Sequence, residues 1–408
     1  MPEINRQMER KKRERVAVVG AGIVSPLGFD LAETAETLRL GRDCVTGITQ
    51  FSVEQCRCKT AGQINDELLR AAGTTHLQRS ERLHRVARMV ICALEQVLAQ
   101  APQFKPQLTV VGTTSGGMTF GEKYYRSLHR ADNARHAPTW IANYLPQKPI
   151  VDAQDALGIS APCQVIANAC ASGTNAIGHA FECIRSGHYE RILTGGYDAL
   201  SELVFVGFDS LQASTAEKCR PFDVSRTGMV LGEGAALLAL ENLDAARLRG
   251  ATILAEITGY GISTDNHHLT QPHPSGIGPR QAMERALASA GLEADEIDYI
   301  NAHGTATPFN DAAEGKAIAE LFDCVPVSST KGMMGHSLGA AGAIEAIISV
   351  LALEHQFLPP NINFQTGDPE LRLNIVANES RKAEIGAVLS NSFGFGGTNA
   401  SVILQKTA

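Results

Sequence analysis

Residues 163–187 have the sequence CQVIANACASGTNAIGHAFECIRSG, in which a short apolar strand gives way to a helix of small residues around Cys170. A helix N-terminus favours an anion, so a thiolate at this turn is expected to be stabilised and nucleophilic. The small residues on both sides leave room for a bulky acyl chain. Taken alone, Cys170 could equally be an inert cysteine packed as a small hydrophobe.

Strand-like and helix-like stretches alternate along the whole chain. Strands are predicted in 16–28, 108–117, 191–200 and 234–243, and a helix is predicted over 80–100 behind a Ser80 cap. The second half restarts with a strand in 253–264 and a helix in 280–292, and continues through 297–307, 325–353 and 386–404. This alternation favours α/β layers with mostly parallel sheets.

A polar stretch, LDAARLRGA at 243–251, is the candidate boundary between two halves. We therefore predict a basic N-terminal arm over 1–15, an N-terminal half over 16–245 and a C-terminal half over 246–408. The first half would carry the cysteine nucleophile.

The composition indicates a globular protein with reduced thiols. The chain has 408 residues, of which 44% are hydrophobic and 19% charged, and its net charge of −7 argues against a general nucleic-acid binder. Its nine cysteines show neither regular pairing nor zinc-ligand spacing. The arm lacks the apolar core of a signal peptide, and no uncharged apolar stretch is long enough to span a bilayer. A cytoplasmic location is the expectation.

Two short motifs are misleading. Gly20 and Gly22 follow a strand, but the dinucleotide fingerprint needs a further glycine where Ser25 stands. GHSLG at 335–339 matches a hydrolase nucleophile motif, which requires an acid and then a histidine downstream. The last histidine is His355, and the acids before it lie on its own predicted helix, so a serine hydrolase is excluded.

Two histidines lie in glycine-flanked loops of the second half. His303 follows a predicted strand in NAHGT, and His336 stands at the mouth of a predicted helix. Together with Cys170 they form a set typical of nucleophilic catalysis. Lys331 and Glu345 flank His336, and this pair could either orient the imidazole or form a surface salt bridge.

Six segments resemble the β-ketoacyl-acyl carrier protein synthases, most of all type II of the fatty-acid pathway. They are NACASG (168–173), RPFDVSRTGMVLGEGAA (220–236), DNHHLTQPHP (265–274), NAHGTATP (301–308), SSTKGMMGHSLGAAGAIE (328–345) and NSFGFGGTN (391–399), and the resemblance covers about 16–404. It implies a thiolase-like α/β fold, in which two similar βαβαβαββ halves form a five-layer αβαβα arrangement.

The resemblance also implies a reaction, a decarboxylative Claisen condensation. Cys170 would accept an acyl chain from acyl carrier protein, and His303 and His336 would donate hydrogen bonds to the thioester oxygen of malonyl-carrier protein. Lys331 and Glu345 would orient the site. The product would be a 3-oxoacyl-carrier protein longer by two carbons, in fatty-acid, polyketide or polyene biosynthesis.

A glycine-rich turn is the implied gate. The backbone N–H groups of Cys170 and Phe395 would form the oxyanion hole, and Phe395 would swing between acylation and condensation. Gly394 and Gly396 would give the turn its freedom. The implied substrate-binding residues are Thr270, Thr305, Thr307, Phe393 and Ser115.

Some positions depart from the family pattern and bear on the substrate. Ser115 stands where type II synthases often carry a bulky aliphatic residue at the bottom of the acyl pocket, and a small residue there would open a deeper tunnel. Phe309 and the His267–His268 pair also differ from the family pattern. A specialised long, rigid or polyene chain is therefore the hypothesis.

The residues at the catalytic positions distinguish this chain from two related classes of protein. Chain-initiating synthases have a Cys-His-Asn set, whereas His336 occupies the third place here. A chain-length-factor-like partner subunit lacks the cysteine, and a non-catalytic role of that kind is the alternative. The resemblance implies acyl carrier protein as partner, a homodimer or a heterodimer with a chain-length factor, and no cofactor beyond the carrier's phosphopantetheine arm.

No metal is expected. His267, His268 and His273 are interpreted as hydrogen-bonding residues of an entrance loop, because no matching carboxylate or cysteine set accompanies them. Lys218, Arg220 and Arg226 are candidates for docking the acidic carrier, or else ordinary solvated or paired charges.

Overall fold

The computed structural model describes residues 13–72, 83–129 and 137–407. Its strands are β1 Val16–Val24, β2 Thr46–Gly47, β3 Thr60–Ala61, β4 Leu108–Gly112, β5 Cys163–Ile166, β6 Arg191–Asp198, β7 Gly234–Asn242, β8 Ala255–Thr264, β9 Tyr299–Asn301, β10 Pro326–Ser328, β11 Phe357–Leu358, β12 Asn374–Ile375, β13 Arg381–Lys382, β14 Ala387–Gly394 and β15 Thr398–Gln405.

Its helices alternate with these strands. They are α1 Leu31–Arg39, α2 Asp66–Ala72, α3 Arg85–Gln100, α4 Met118–His129, α5 Ala137–Ala142, α6 Lys148–Leu157, α7 Ser172–Arg185, α8 Glu202–Ser210, α9 Leu243–Leu248, α10 Ile277–Ala290, α11 Pro308–Leu321, α12 Lys331–Met334 and α13 Ala341–His355. The short helix α9 occupies the stretch predicted as the boundary between halves.

The main sheet contains two copies of one strand order. Its order is β12-β10-β9-β14-β15-β8-β1-β7-β6-β4-β5. Numbered within its own half, each side of the β1–β8 junction has the order 3-2-4-5-1, and β12 is an addition at one edge. The halves join where Val16 pairs with Ile257 in antiparallel register. The predicted pair of βαβαβαββ halves is confirmed.

The sheet is not mostly parallel, contrary to the prediction. The pairs β4–β5, β4–β6, β9–β14, β9–β10 and β10–β12 are parallel. The pairs β1–β7, β1–β8, β6–β7, β14–β15 and β8–β15 are antiparallel. The last two strands of each half are neighbours in the sheet and run antiparallel, β6 with β7 and β14 with β15, so the final strand of each half reverses direction.

Five layers result from this arrangement. Helices α7 and α13 pack against each other and contact strands of both half-sheets, so they form the central layer. Helices α3 and α6 cover one outer face, and α10 and α11 cover the other. Residues 341–353 are all buried. Each fully buried Ile or Leu contributes about 1.5–3 kcal/mol relative to exposure, so α13 is a principal source of stability.

One apolar stretch among the described residues is long enough to cross a membrane. It covers Leu338–His355, 18 residues, and 89% of it is buried inside the protein. Its apolar surface is therefore explained by the central layer. Glu345 also lies within it.

The start of α3 and the N-terminal arm differ from the sequence prediction or lie partly outside the described residues. Helix α3 begins at Arg85, and its N-cap is His84, whose Nδ1 accepts the Val86 N–H at 3.1 Å. Ser80, the predicted cap, is outside the described residues, as is the arm up to residue 12. The described end of the arm is held by Arg15, whose Nε donates to Glu256 at 2.8 Å.

Candidate active site

Cys170 occupies a tight turn between β5 and α7. The residue before it, Ala169, has a left-handed backbone with φ +56°. Its carbonyl oxygen accepts hydrogen bonds from Ser172 N at 3.1 Å and Ser172 Oγ at 2.6 Å, which close the turn onto the first residue of the helix. The Cys170 side chain is 4% exposed. The strand-to-helix placement predicted for this residue is what the structure contains.

His303 follows β9, and its loop is held from α11. Glu314 of that helix accepts the N–H groups of His303 and Gly304, both at 2.8 Å. Ser329 Oγ donates to the Gly304 carbonyl at 2.7 Å. Gly304 has φ +37°, a conformation that side chains disfavour. These bonds fix the backbone and leave the imidazole ring free to face the site.

His336 is held by backbone pairing with the opposite half. Its N–H donates to Val230 O at 2.7 Å, and its carbonyl accepts Gly232 N at 2.8 Å. Gly335 before it has φ +74°, and a Cβ there would lie 2.6 Å from Leu231 O. Only glycine allows this close approach.

The cysteine and both histidines meet at one point. The Cys170 sulfur and one ring nitrogen from each histidine lie within 4.8 Å of one another. The two rings are 5.2 Å apart and nearly perpendicular, at 85°. Among the described residues, neither His303 Nδ1 nor either ring nitrogen of His336 has a hydrogen-bond partner. Buried polar atoms without partners, facing a cavity, are available to a ligand.

Both imidazoles are neutral. Burial, assisted by the Lys331 charge, holds the pKa of His303 well below its ordinary value, and the neighbouring His336 lowers it further. Burial and Lys331 do the same to the pKa of His336. A neutral imidazole carries one N–H donor, which is what stabilisation of a developing oxyanion requires.

Lys331 and Glu345 form a fully buried ion pair. Lys331 Nζ donates to Glu345 Oε1, and both side chains are 0% exposed. Burial raises the pKa of Glu345 to about 7, against the opposing effect of Lys331. The surface salt bridge considered from the sequence is thereby excluded.

The Cys170 thiol holds its proton more tightly than the sequence suggested. Burial raises its pKa to about 11, although Lys331 and the backbone N–H of Phe395 act in the opposite direction. The sequence predicts that the helix start stabilises a thiolate. In the resting site Cys170 is instead a thiol, because desolvation outweighs the favourable groups around the sulfur. The proton must leave as the sulfur attacks.

The glycine-rich turn between β14 and β15 lies against the sulfur. The Phe395 N–H is directed at Cys170, and the Phe395 ring stacks on Phe208 with centroids 5.4 Å apart. Gly396 and Gly397 have φ of +84° and +76°. Gly394 approaches Cys170 so closely that a Cβ would lie 3.1 Å from its nitrogen.

A cavity of about 200 Å³ contains the reactive atoms. Four of the five predicted substrate-binding residues line it: Thr270, Thr305, Thr307 and Phe393. Phe309 and the predicted gate, Phe395, line it as well. Thr305 Oγ1 and Thr307 Oγ1 are hydrogen-bonded at 2.9 Å. Phe393 lies with its ring 5.9 Å from that of His303.

Ser115, the remaining residue predicted to bind substrate, is not among the residues that line this cavity. It is 7% exposed, and its Oγ donates to Asp198 Oδ1 at 2.8 Å. The hydroxyl is thus bound to a buried carboxylate at the end of β6. The deeper acyl tunnel inferred from this small residue stays a prediction.

Charged and histidine residues near the entrance have partners within the chain. Lys218 pairs with Asp43, Arg220 with Glu217 at 2.7 Å and Arg226 with Asp368 at 2.8 Å. The docking interpretation of these three cations is therefore weakened. The rings of His267 and His273 lie 4.9 Å apart, and His268 Nδ1 accepts the Thr270 N–H at 3.1 Å.

The reactive triad also has the composition of a metal site. A cysteine and two histidines are zinc ligands, and the three atoms lie within 4.8 Å. Bonds of about 2.0–2.3 Å to a shared zinc ion would need these atoms to come within roughly 3.8 Å of one another. The atoms that would bind a metal are the same atoms that would carry catalysis.

Sequence reasoning missed the carboxylates that hold the loops. Glu314 holds the His303 loop, and Asp311 accepts Phe222 N at 2.7 Å. Both are fully buried on α11. Their spacing of three residues puts them on one helix face among alanines and glycine, a signal that the sequence contained.

Comparisons with known proteins agree with this site. Residues 13–246 match the family described as the beta-ketoacyl synthase N-terminal domain, and residues 254–365 match its C-terminal domain. The 3-oxoacyl-[acyl-carrier-protein] synthase 2 of Staphylococcus aureus strain COL is 35% identical, over 97% of this chain and 99% of its own.

Solved structures agree as well. A chain of the ishigamide ketosynthase/chain length factor superposes with a TM-score of 0.91 at 33% identity, over 97% of this chain and 100% of that chain. A chain from a type II polyketide synthase complex, in which an acyl-carrier protein is bound to its ketosynthase, gives 0.87 at 26%, with the same coverage. The chain therefore belongs to the β-ketoacyl synthase family of condensing enzymes.

Proposed function

We propose that this enzyme extends an acyl chain held on Cys170 with a malonyl unit delivered by acyl carrier protein. The observation that carries the proposal is the meeting of one thiol and two neutral imidazoles, with ring nitrogens left unpartnered, in one cavity. A nucleophile and two oxyanion donors are the parts that a decarboxylative condensation needs.

In the first step the sulfur attacks the thioester carbonyl of the acyl carrier protein. The new S–C bond forms as the carrier's thiol leaves with the proton that Cys170 gives up. The N–H groups of Cys170 and Phe395 hold the tetrahedral oxyanion, and this role is supported by the direction of the Phe395 N–H. Gly394 and Gly396 allow the turn that carries Phe395 to move.

In the second step malonyl-carrier protein loses carbon dioxide. The electron pair of the broken C–C bond forms an enolate, whose oxygen accepts hydrogen bonds from His303 and His336. The enolate carbon then attacks the acyl carbonyl, a new C–C bond forms, and the C–S bond to Cys170 breaks. The Cys170 sulfur leaves with the bonding electron pair and takes up a proton from solvent, which restores the thiol. Removing one such donor from an oxyanion site costs about 3–4 kcal/mol of barrier.

Lys331 and Glu345 set the electrostatics of this step. The buried Lys331 charge favours neutral imidazoles, and Glu345 neutralises that charge in turn. Thr305 and Thr307 would contact the malonyl carboxylate or the phosphopantetheine arm, with Thr270 and Phe393 along the same path. No separate cofactor or metal enters this scheme.

A second thiolase-fold chain is the proposed structural partner. Large apolar side chains are exposed on α4, α5 and α8, among them Tyr125, Ile141 and Leu203 at 64%, 44% and 60%. Exposed clusters of this kind mark interaction surfaces. We propose a homodimer in the cytoplasm, with a chain-length factor as the other occupant to test. A purified chain with twice the monomer mass by light scattering supports the homodimer, and a monomeric chain opposes it.

A non-catalytic partner role has less support, because it leaves the buried triad without a use. The deciding experiment mixes purified enzyme with acyl- and malonyl-carrier proteins and weighs the products by mass spectrometry. The expected product is a 3-oxoacyl-carrier protein longer by two carbons, with carbon dioxide released in equal amount. Release of carbon dioxide without a longer chain would contradict the proposal. A panel of acyl lengths and unsaturation identifies the substrate.

A further inference from the structure

Asp198, at the end of β6, is a buried carboxylate bonded only to neutral donors among the described residues. Its Oδ1 accepts Thr113 Oγ1 at 2.7 Å and both the N–H and the Oγ of Ser115 at 2.8 Å. Its Oδ2 accepts Thr114 N at 2.9 Å and Gly339 N at 2.7 Å. No described Lys or Arg forms an ion pair with it. A buried charge without a counter-ion depends on its hydrogen bonds, so these donors are held firmly.

One set of these bonds leads to the nucleophile. Thr114, whose N–H is bound to Asp198, donates through its Oγ1 to the Ala169 carbonyl at 3.1 Å. Ala169 is the left-handed residue directly before Cys170. Asp198 is therefore connected through one residue, Thr114, to the turn that orients the Cys170 sulfur.

The other set leads to the imidazole. Gly339 follows His336 by three residues, and its N–H ends on Asp198 Oδ2. The contact is tight, since a Cβ on Gly339 would lie 2.6 Å from Thr114 N and 2.8 Å from Asp198 Oδ2. Leu338 between them has a left-handed backbone with φ +52°. The same carboxylate oxygen thus binds one residue from each side of the active site.

We propose that Asp198 is a positioning residue that fixes the Cys170 turn and the His336 turn relative to each other. It touches no reacting atom and acts through Thr114 and Gly339. The inference rests on the proposed function, because it assumes that Cys170 and His336 act on the same reaction. Acylation depends on the Cys170 turn and decarboxylation on the His336 turn, whereas condensation depends on the position of each turn relative to the other. Loss of the carboxylate should therefore impair condensation more than either half-reaction.

The first test is Asp198→Asn, which keeps the shape but presents an NH₂ group to the donors that one of the two oxygens accepts. A displacement on the order of 1 Å costs about 100-fold in rate, so we expect kcat for condensation to fall by that factor, with KM for both carrier substrates within about threefold of wild type. Decarboxylation of malonyl-carrier protein, measured alone, should fall by less than about tenfold. Alkylation of Cys170 by iodoacetamide should change by less than about tenfold in either direction, because loss of the Asp198 charge also removes one cause of the raised pKa of Cys170.

The second test cuts a single link at an exposed side chain. Thr114→Val removes the hydroxyl that binds Ala169 and keeps the side-chain shape, so folding should be preserved. Loss of one hydrogen bond predicts a condensation rate lower by about fivefold. Because Thr114 acts through Asp198, the double variant should be no slower than Asp198→Asn.

Glu241→Gln is the matched control for a buried carboxylate of the same half. Glu241 binds Arg191 and Arg249, on β7 and away from the cavity. It should lower stability and leave the ratio of condensation to the half-reactions unchanged.

Condensation by folded Asp198→Asn within about threefold of wild type overturns the proposal, and so do losses that multiply in the double variant. If Asp198→Asn does not fold, unchanged condensation by Thr114→Val overturns it. A wild-type chain that never carries an acyl group on Cys170 overturns the proposed function instead, and mass measurement of the Cys170 peptide separates the two failures.

Discussion

The two halves of the chain share one frame but carry different chemistry at matching places. The third strand of each half leads into a central helix, and this junction holds Cys170 in the first half and His336 in the second. The second strand of each half ends in the Ser115 loop in one case and in the His303 loop in the other. A repeated βαβαβαββ unit thus supplies a nucleophile from one copy and oxyanion donors from the other.

The difference follows from what each junction must hold. The Cys170 turn closes with hydrogen bonds from Ser172, within its own half. The His336 turn is held by backbone pairing with Val230 and Gly232, from the first half. A nucleophile at a helix start can be built locally, whereas the donors are aimed by contacts across the interface between halves.

The largest effect is expected from removing the nucleophile. Cys170→Ala should lower condensation by at least about 10³-fold, because loss of a covalent nucleophile leaves only binding and oxyanion stabilisation. Turnover assays with radiolabelled malonyl-carrier protein measure this. Cys163→Ala, on the strand of the same half, is the control and should keep its turnover. Comparable losses in both variants would contradict the assignment of Cys170 as the nucleophile.

The donors of the second half should show a smaller loss. His303→Ala and His336→Ala should each slow malonyl decarboxylation by about 10²–10³-fold, since each removes one hydrogen bond to the enolate oxygen. Carbon dioxide release measures the effect, and His355→Ala at the end of α13 serves as control. If either active-site variant decarboxylated at the wild-type rate, that imidazole would have no oxyanion role.

The buried ion pair of the second half predicts a stability effect. Lys331→Met should destabilise the fold by about 3–5 kcal/mol, because Glu345 is left buried without its partner. The double variant Lys331→Met/Glu345→Leu should recover most of that loss in urea unfolding but not the catalytic rate. Additive destabilisation in the double variant would contradict the pairing.

The smallest effect concerns pH. Burial raises the pKa of the reactive group in the first half and lowers the pKa values of the two in the second half. The pKa of the Cys170 thiol is raised, so its alkylation by iodoacetamide should rise by about tenfold per unit between pH 7 and 9 as the thiolate fraction grows. The pKa values of His303 and His336 are lowered, so both rings stay neutral and imidazole protonation should not change decarboxylation between pH 6 and 8. A change centred near pH 7 would report Glu345 instead, because burial raises the pKa of that carboxyl to about 7. An alkylation plateau below pH 8 would mean that the helix start offsets burial.

Much of the frame could be predicted from the sequence. The apolar strands, the junction at Cys170 and the glycine-flanked histidines are local signals, and the resemblance joined them into one fold. The buried central helix was also predictable, because apart from Glu345 its residues are apolar or small up to Leu353.

The rest depends on contacts between residues far apart in the chain. The Ser115 hydroxyl binds Asp198, 83 residues away, and the polarity of that loop gave no sign of it. The pKa of Cys170 reflects how many groups surround the sulfur in the folded chain. Strand direction was misjudged because a final ββ pair looks, in sequence, like any other pair of apolar stretches.

The division of labour between halves is tested most directly by measuring both half-reactions in matched variants. Cys170→Ala should still release carbon dioxide from malonyl-carrier protein, within about tenfold of wild type, because the donors remain. The His303→Ala/His336→Ala double variant should still acquire an acyl group on the Cys170 peptide while releasing almost no carbon dioxide. The opposite pattern, in which the cysteine variant loses decarboxylation and the histidine variant keeps it, would contradict the account.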